Sequence, residues 1–467
     1  MFIGRTEEFN FLNERVKSDR FEMIPIYGRR RVGKTRLLEE FTKNKNTIFF
    51  TADQHGEESN LSNLSWAITS TILSLDSHLM FSSFQKAFEA VAEYVKENSE
   101  PLIFIMDEYP YLEQASPGLS SVLQRAIDKL YLHLPNLMLI LTGSQVSFME
   151  HQVLGYQSPL YGRRTGQIKL RPLTFNEARK FSPKMDERDF LTIYGLSGGI
   201  PLYLSVMKDD ITLSENIKKN LLTRNTLLYE EPRNLLLQEL RMPNRYNDIL
   251  TEIAKGTTKL NEIASKTNID SRTLTKYLDT LIELDIVEKR YPLPRESKKK
   301  GIYCIKDGFF HFWYRYVPKY KNFLESGRLE YIWPRIEEDL IQFTSLIFEE
   351  FCRDWLLTNS SMLLQDVGGW WGNNPLVKSG KALAEEIDVL GVGLEKEELA
   401  IGECKWRNEK TDLNVGEKLV ERAGFFPHLK KELYIFSKSE FTASLQEYAQ
   451  KNDIKLIRYE EMASTAR

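Results

Sequence analysis

Gly28-Arg29-Arg30-Arg31-Val32-Gly33-Lys34-Thr35 constrains the architecture more than any other segment of the chain. It satisfies every defined position of G-x-x-x-x-G-K-[ST], the loop that cradles phosphates. The apolar run Met23-Ile24-Pro25-Ile26-Tyr27 before it predicts a buried strand, and Thr35-Arg36-Leu37-Leu38-Glu39-Glu40-Phe41 after it predicts a helix. In that context the glycines let successive N–H groups curl inward, and the helix N-terminus adds its positive dipole. Gly28, Arg29, Arg30, Arg31, Val32 and Gly33 are expected to wrap ATP, with Arg36 beside them. Lys34 is expected to neutralise the β- and γ-phosphates, and the Thr35 hydroxyl to ligate Mg²⁺.

Leu102-Ile103-Phe104-Ile105-Met106 predicts a central parallel strand that ends in Asp107-Glu108. Asp107 is expected to assist Mg²⁺ and Glu108 to polarise the attacking water. A third apolar run, Leu137 to Leu141, ends in Thr142-Gly143-Ser144-Gln145. At such a tip Ser144, rather than Thr142, is expected to sense the γ-phosphate, although a small turn residue explains it nearly as well. Arg163 and Arg164 follow Gly162. They read either as an arginine finger reaching a neighbouring subunit in a homo-oligomer or as a structural pair. Thr174-Phe175-Asn176-Glu177 has the form of a capping box and opens a helical lid. Within the lid, Ser197-Gly198-Gly199-Ile200-Pro201 ends one helix and starts the next.

Bulk composition fits this reading. At 467 residues the prior is about three domains. The chain is 42% hydrophobic and 28% charged with a net charge of −3, which excludes a uniformly basic nucleic-acid coat but not a local basic face. Cys304, Cys352 and Cys404 are scattered, with no CxxC pair, as expected of a reducing cytoplasm rather than a disulfide framework. The opening Met1 to Glu7 lacks the form of a signal peptide, and no apolar run approaches the ~20 residues of a membrane span. A cytoplasmic protein without membrane contact is expected.

Phe2-Ile3-Gly4-Arg5-Thr6-Glu7-Glu8, the loop from Tyr27 to Thr35, the Asp107-Glu108-Tyr109-Pro110-Tyr111-Leu112 segment and Gly198-Gly199-Ile200-Pro201 occur in one order. Together they resemble the archaeal-type ATPase family, of the STAND-like branch related to AAA+ proteins. The resemblance implies that the Gly4-Arg5 arm lies near the adenine and that nucleotide state moves the lid.

Between Arg245 and Leu284 three helical patterns follow one another, the last with Leu274, Tyr277, Leu278, Leu281 and Ile282 as its buried stripe. Two strand-like stretches, 286–291 and 301–305, flank the basic tip Arg295 to Lys300. Three helices and a basic hairpin predict a winged helix-turn-helix. Arg272 and Lys276 on the third helix and Lys298, Lys299 and Lys300 on the wing are the expected DNA contacts. A protein-docking role is the alternative. The aromatic block Phe309 to Tyr314 reads as core.

In the last third, Glu386 to Leu390 and Leu399 to Trp406 read as the two strands of a hairpin. Asp388 stands on one, and Glu403 and Lys405 share a face of the other. Asp388 and Glu403 are expected to hold Mg²⁺, with Glu349 on the preceding helix as a third acid and Lys405 as the charge stabiliser. An Asp, about 14 residues, then Glu-x-Lys resembles the PD-(D/E)xK restriction-endonuclease-like superfamily. The segment is also similar to the domain of unknown function 234 that often follows this ATPase type.

The expected fold is thus multidomain α/β. A parallel-sheet P-loop ATPase spans 1–173, a helical lid 174–240, a winged helix-turn-helix 241–322 and a nuclease-like α/β domain 323–467. The expected function is a DNA-associated ATPase with a metal-dependent nuclease. The competing one is a signalling ATPase with an inactive nuclease fold and a protein partner.

Overall fold

A computed structural model describes residues 2–72, 79–240, 242–295, 300–377, 384–395 and 397–465. The chain divides into two compact units, one of residues 1–173 with 200–202 and one of 174–199 with 203–467.

The first unit is built on a five-stranded sheet of β1 (Glu22–Tyr27), β2 (Thr47–Thr51), β3 (Leu102–Asp107), β4 (Leu137–Gly143) and β5 (Ile168–Lys169). Its order is β2-β3-β4-β1-β5, and every pairing is parallel. Alternation along the strands splits their side chains between two cores. Ile24, Ile26, Ile103, Ile105, Met138 and Ile140 pack with Leu12, Leu37, Leu38 and Phe41 of two helices on one face. Met23, Phe50, Phe104, Met106, Leu139 and Leu141 pack against helices from the other. Strands covered on both faces have no polar side, which is why the three apolar runs are continuous. β4 lies between β1 and β3, so its polar tip falls between the phosphate loop and the two acids.

The second unit begins with helices. Thr174 and Glu177 close the capping box over Phe175–Arg179. Gly198 and Gly199 both take positive φ, 56° and 69°, where the helix Glu187–Ser197 ends. Three helices follow at Pro243–Ala254, Leu260–Thr267 and Ser271–Glu283, the last capped by Asp270. Leu274, Leu278 and Leu281 are its buried stripe. The antiparallel pair β6 (Val287–Arg290) and β7 (Ile302–Ile305) comes next. Phe309, Phe310 and Phe312 are buried, as a core reading of the aromatic block requires.

A long helix, Leu329–Asn359, leads into a second five-stranded sheet. Its strands are β8 (Leu364–Asn373), β9 (Ala384–Gly393), β10 (Glu398–Lys405), β11 (Lys430–Ser437) and β12 (Ile454–Arg458), in the order β12-β11-β10-β9-β8. The pairs β8–β9 and β9–β10 are antiparallel, while β10–β11 and β11–β12 are parallel. The helix Leu413–Ala423 makes the crossover from β10 to β11 that a parallel pair needs. Among the described residues no helix is long and apolar enough to cross a membrane.

Candidate functional site

The phosphate loop owes its path to two glycines. A Cβ on Gly28 would stand 2.3 Å from the Leu170 carbonyl oxygen, closer than any side chain tolerates. Gly33 sits at φ 94° as the N-cap of the helix Lys34–Thr42 and leaves that N-terminus without a side-chain cap. Its first N–H groups are therefore oriented for an anion. Gly28→Ala should lower the thermal midpoint and weaken nucleotide binding together, at a cost on the order of 1–3 kcal/mol. Thermal unfolding with and without ATP reads both.

Lys34 is buried, and its ammonium donates to the carbonyls of Gly28 at 2.9 Å and Arg29 at 3.4 Å. Arg5, also buried, donates to the Val32 carbonyl at 3.0 Å. The Gly4-Arg5 arm thus braces the phosphate loop from behind. Arg30 donates to the Tyr111 hydroxyl, so the tyrosine three residues after Glu108 also holds the loop. Arg36 lies outside this set, exposed and paired with Glu39 at 3.0 Å. A Cβ built on Gly33 would meet the Pro201 ring at 3.8 Å, which places that proline against the loop.

At the end of β3, Asp107 is buried, and the Thr35 hydroxyl donates to its carboxylate at 3.4 Å. Thr142 of β4 donates to its other oxygen. Burial raises the Asp107 pKa and the neighbouring Glu108 adds to this, against the Thr142 hydrogen bond and Lys34, which lower it. Glu108 has a left-handed backbone, φ 53°, and turns its carboxylate to Ser144. It accepts from the Ser144 N–H at 3.1 Å and from the hydroxyl at 2.8 Å. Ser144 therefore holds the glutamate here rather than standing free for a γ-phosphate. Thr142, the residue passed over in the sequence, holds the aspartate. Arg163 is bound by both oxygens of Asp128 at 2.8 Å, and Arg164 donates to Gln167 at 2.7 Å. Both guanidinium groups are engaged within the chain.

The second set of chemistry-bearing residues lies on the mixed sheet. The last paired positions of β9 and β10 are Val389 and Gly402, which sets Asp388 opposite Glu403. Asp388 accepts from the Cys404 N–H at 2.8 Å. Lys405 donates to Glu403 at 2.7 Å, and Arg422 of the crossover helix binds the other Glu403 oxygen. Arg422 also reaches Glu385 at 3.1 Å. On the long helix Glu349 is bound by Arg353 at 3.2 Å. Burial raises the pKa of Glu349, reinforced by the charge of Asp388, and that of Asp388, reinforced by Glu403. Crowded buried carboxylates of this kind favour a hard cation between them, so the donor chemistry of Asp388 and Glu349 fits one. Glu403 already carries two cations. Among the described residues no three acidic, His or Cys groups converge as a metal cage, so the expected trio Asp388, Glu403 and Glu349 is not preassembled.

The candidate DNA contacts are spread over the second unit. Arg272 and Lys276 are exposed on Ser271–Glu283, and Lys300 is exposed next to β7. Lys298 and Lys299 lie outside the described residues.

The fold and the loop site of the first unit define a P-loop ATPase. Residues 2–207 match the family described as an ATPase domain predominantly from Archaea, and residues 313–415 match a family of archaeal and bacterial proteins of unknown function. An uncharacterized protein of Methanocaldococcus jannaschii is 32% identical over 425 residues, 88% of each chain. An uncharacterized ATP-binding protein of the same organism is 47% identical over 45 residues, 10% of this chain and 76% of that one. The fold is similar to that of a Walker-type ATPase of Pyrococcus abyssi, with a TM-score of 0.50 and 23% identity over 67% of this chain and 96% of that one. The chain belongs to this archaeal-type ATPase family, with the unknown-function domain at its C-terminal side.

Proposed function

We propose that the protein hydrolyses Mg-ATP to drive or license work on DNA, and that its C-terminal domain is a restriction-endonuclease-like nuclease. For the ATPase, the support is the pairing of β3 and β4 tips beside the loop, where Thr142 holds Asp107 and Ser144 holds Glu108. On ATP binding the Lys34 ammonium would exchange loop carbonyls for phosphate oxygens. Thr35 and Asp107 would hold Mg²⁺, which neutralises developing phosphate charge. Glu108 would leave Ser144 to orient the attacking water.

The nuclease reading is carried by one observation. Asp388 and Glu403 each stand one residue beyond the Val389–Gly402 pair of β9 and β10 and are close enough to repel, with Lys405 bound to Glu403 and Glu349 on the helix that precedes the sheet. The order helix, three antiparallel strands, helix, parallel strand agrees with that superfamily. A divalent cation at the carboxylates would supply a Lewis acid and an activated water. Lys405 would place positive charge beside the scissile phosphate, and Arg422 would hold the Glu403 carboxylate in place. A metal-dependent cleavage assay on single- and double-stranded DNA, with and without ATP, tests this reading directly.

The three helices Pro243–Ala254, Leu260–Thr267 and Ser271–Glu283 with the β6–β7 hairpin support a winged helix, and DNA as its partner. Replacing Arg272 and Lys276 with Ala should weaken DNA binding alike at all sequences. Each lost phosphate contact should also flatten the slope of log K against log salt by about 0.9. Fluorescence anisotropy across a salt series measures it, and an unchanged slope would turn this helix toward a protein partner.

A further inference from the structure

The candidate nuclease centre is fastened to the β6–β7 hairpin by a chain of charged side chains. Arg353 of the long helix lies behind Asp388. Its Nε and one Nη donate to the Asp388 carbonyl at 2.9 and 2.6 Å. The same guanidinium binds Glu349 at 3.2 Å and Glu350 at 2.5 Å. Arg353 therefore fixes the backbone of one candidate ligand and the side chain of another. From the hairpin side, Arg290 at the end of β6 binds the same Glu350 oxygen at 2.5 Å and also Glu288 on its own strand. Glu350 thus sits between two guanidinium groups, one belonging to the hairpin and one to the centre.

A second link runs beside the first. The N–H of Leu293, three residues beyond Arg290, donates to the carbonyl of Gly369 in β8 at 3.0 Å, and Leu293 is buried in the core of the mixed sheet. Gly369 lies at a register irregularity between Gly368 and Trp370. A Cβ there would come within 3.3 Å of the Arg353 guanidinium and 3.7 Å of the Asp388 carbonyl oxygen.

We propose that Arg353 is the positioning residue of the Asp388 centre, and that Arg290 and Glu350 make its position depend on the hairpin. Nucleic acid bound by the hairpin would thereby set the geometry of the centre that cuts it. This rests on the nuclease reading above, but the linkage itself can be read without cleavage.

The experiment compares the full chain with Arg290→Ala, Glu350→Gln and Arg290→Lys. Arg290 keeps about a third of its side chain exposed against about a tenth for Arg353, so its replacement disturbs the packing less. Hydrogen–deuterium exchange of 387–390 should speed up in Arg290→Ala and Glu350→Gln and return toward the parent rate in Arg290→Lys. With Mn²⁺ and duplex DNA, kcat for cleavage should fall on the order of tenfold in the first two, with KM unchanged, as for other groups that orient metal ligands. ATPase rates should not change. Parent-like exchange in both variants, or a loss confined to KM, would overturn the proposal. A parent chain that never cleaves would overturn the nuclease reading alone, and the exchange rates would still decide the linkage.

Discussion

Lys34→Ala is expected to abolish tight ATP binding, whereas Glu108→Gln is expected to bind ATP and stall. The two differ because they act at different stages. The Lys34 ammonium meets ground-state phosphate charge, so its loss appears in the dissociation constant. It also removes the hydrogen bonds to the Gly28 and Arg29 carbonyls, so the loop itself is left less braced. Glu108 serves the attack of water, and a glutamine of the same shape can still accept from Ser144. Its loss should cost a factor on the order of 100 to 10,000 in turnover. Equilibrium binding of a fluorescent ATP analogue and steady-state phosphate release separate the two. Normal turnover in Glu108→Gln would remove that glutamate from the mechanism.

Asp388→Asn should eliminate DNA cleavage and leave ATP hydrolysis intact, because Lys34 and Asp388 belong to different units. Asparagine is the sharper replacement, since its carbonyl oxygen still accepts from the Cys404 N–H and spares the strand. It removes the charge on which a bound cation depends. Lys405→Ala should retain metal binding, measured by Mn²⁺ titration calorimetry, and cleave on the order of 100- to 1,000-fold more slowly. Glu403 loses one of its two cationic partners but keeps Arg422, so the larger loss falls on charge developing in the transition state. If the parent chain cuts neither DNA nor RNA with Mg²⁺ or Mn²⁺ in either nucleotide state, the better account is a signalling ATPase whose C-terminal fold is inert.

What the sequence made legible was local and contiguous. The phosphate loop with its strand and helix spans fewer than twenty residues, and the chemistry is written in consecutive letters. The β9–β10 hairpin was readable for the same reason, since the Gly- and Glu-rich spacer marks the turn between two apolar runs. β8 was not, because Gly368, Gly369 and Gly372 are poor strand formers. Nor does the sequence show that a Cβ on Gly369 would stand 3.3 Å from the Arg353 guanidinium. Arg353 and Arg422 were invisible on similar grounds. They reach Asp388 and Glu403 from helices 35 and 19 residues away in the chain, and an arginine among charged neighbours on a helix has no spacing that betrays a buried target. Ser144 was noticed as a sensor of phosphate, but its bond to Glu108 was not foreseen. The strand order puts β4 beside β3, and a short hydroxyl at its tip meets Glu108 before it meets anything else.

The small excursion of Ile200–Leu202 into the first unit has a practical consequence for anyone dividing the gene. The chain crosses between the units after 173, after 199 and after 202, so the polypeptide is stitched rather than strung. A fragment cut at the obvious seam, Leu173, would carry the whole β2-β3-β4-β1-β5 sheet and every letter of the phosphate-loop motif. It would still lack the Pro201 ring that lies against Gly33. Such a piece is an ATPase with its thumb removed, and its nucleotide affinity is a poor guide to that of the whole chain.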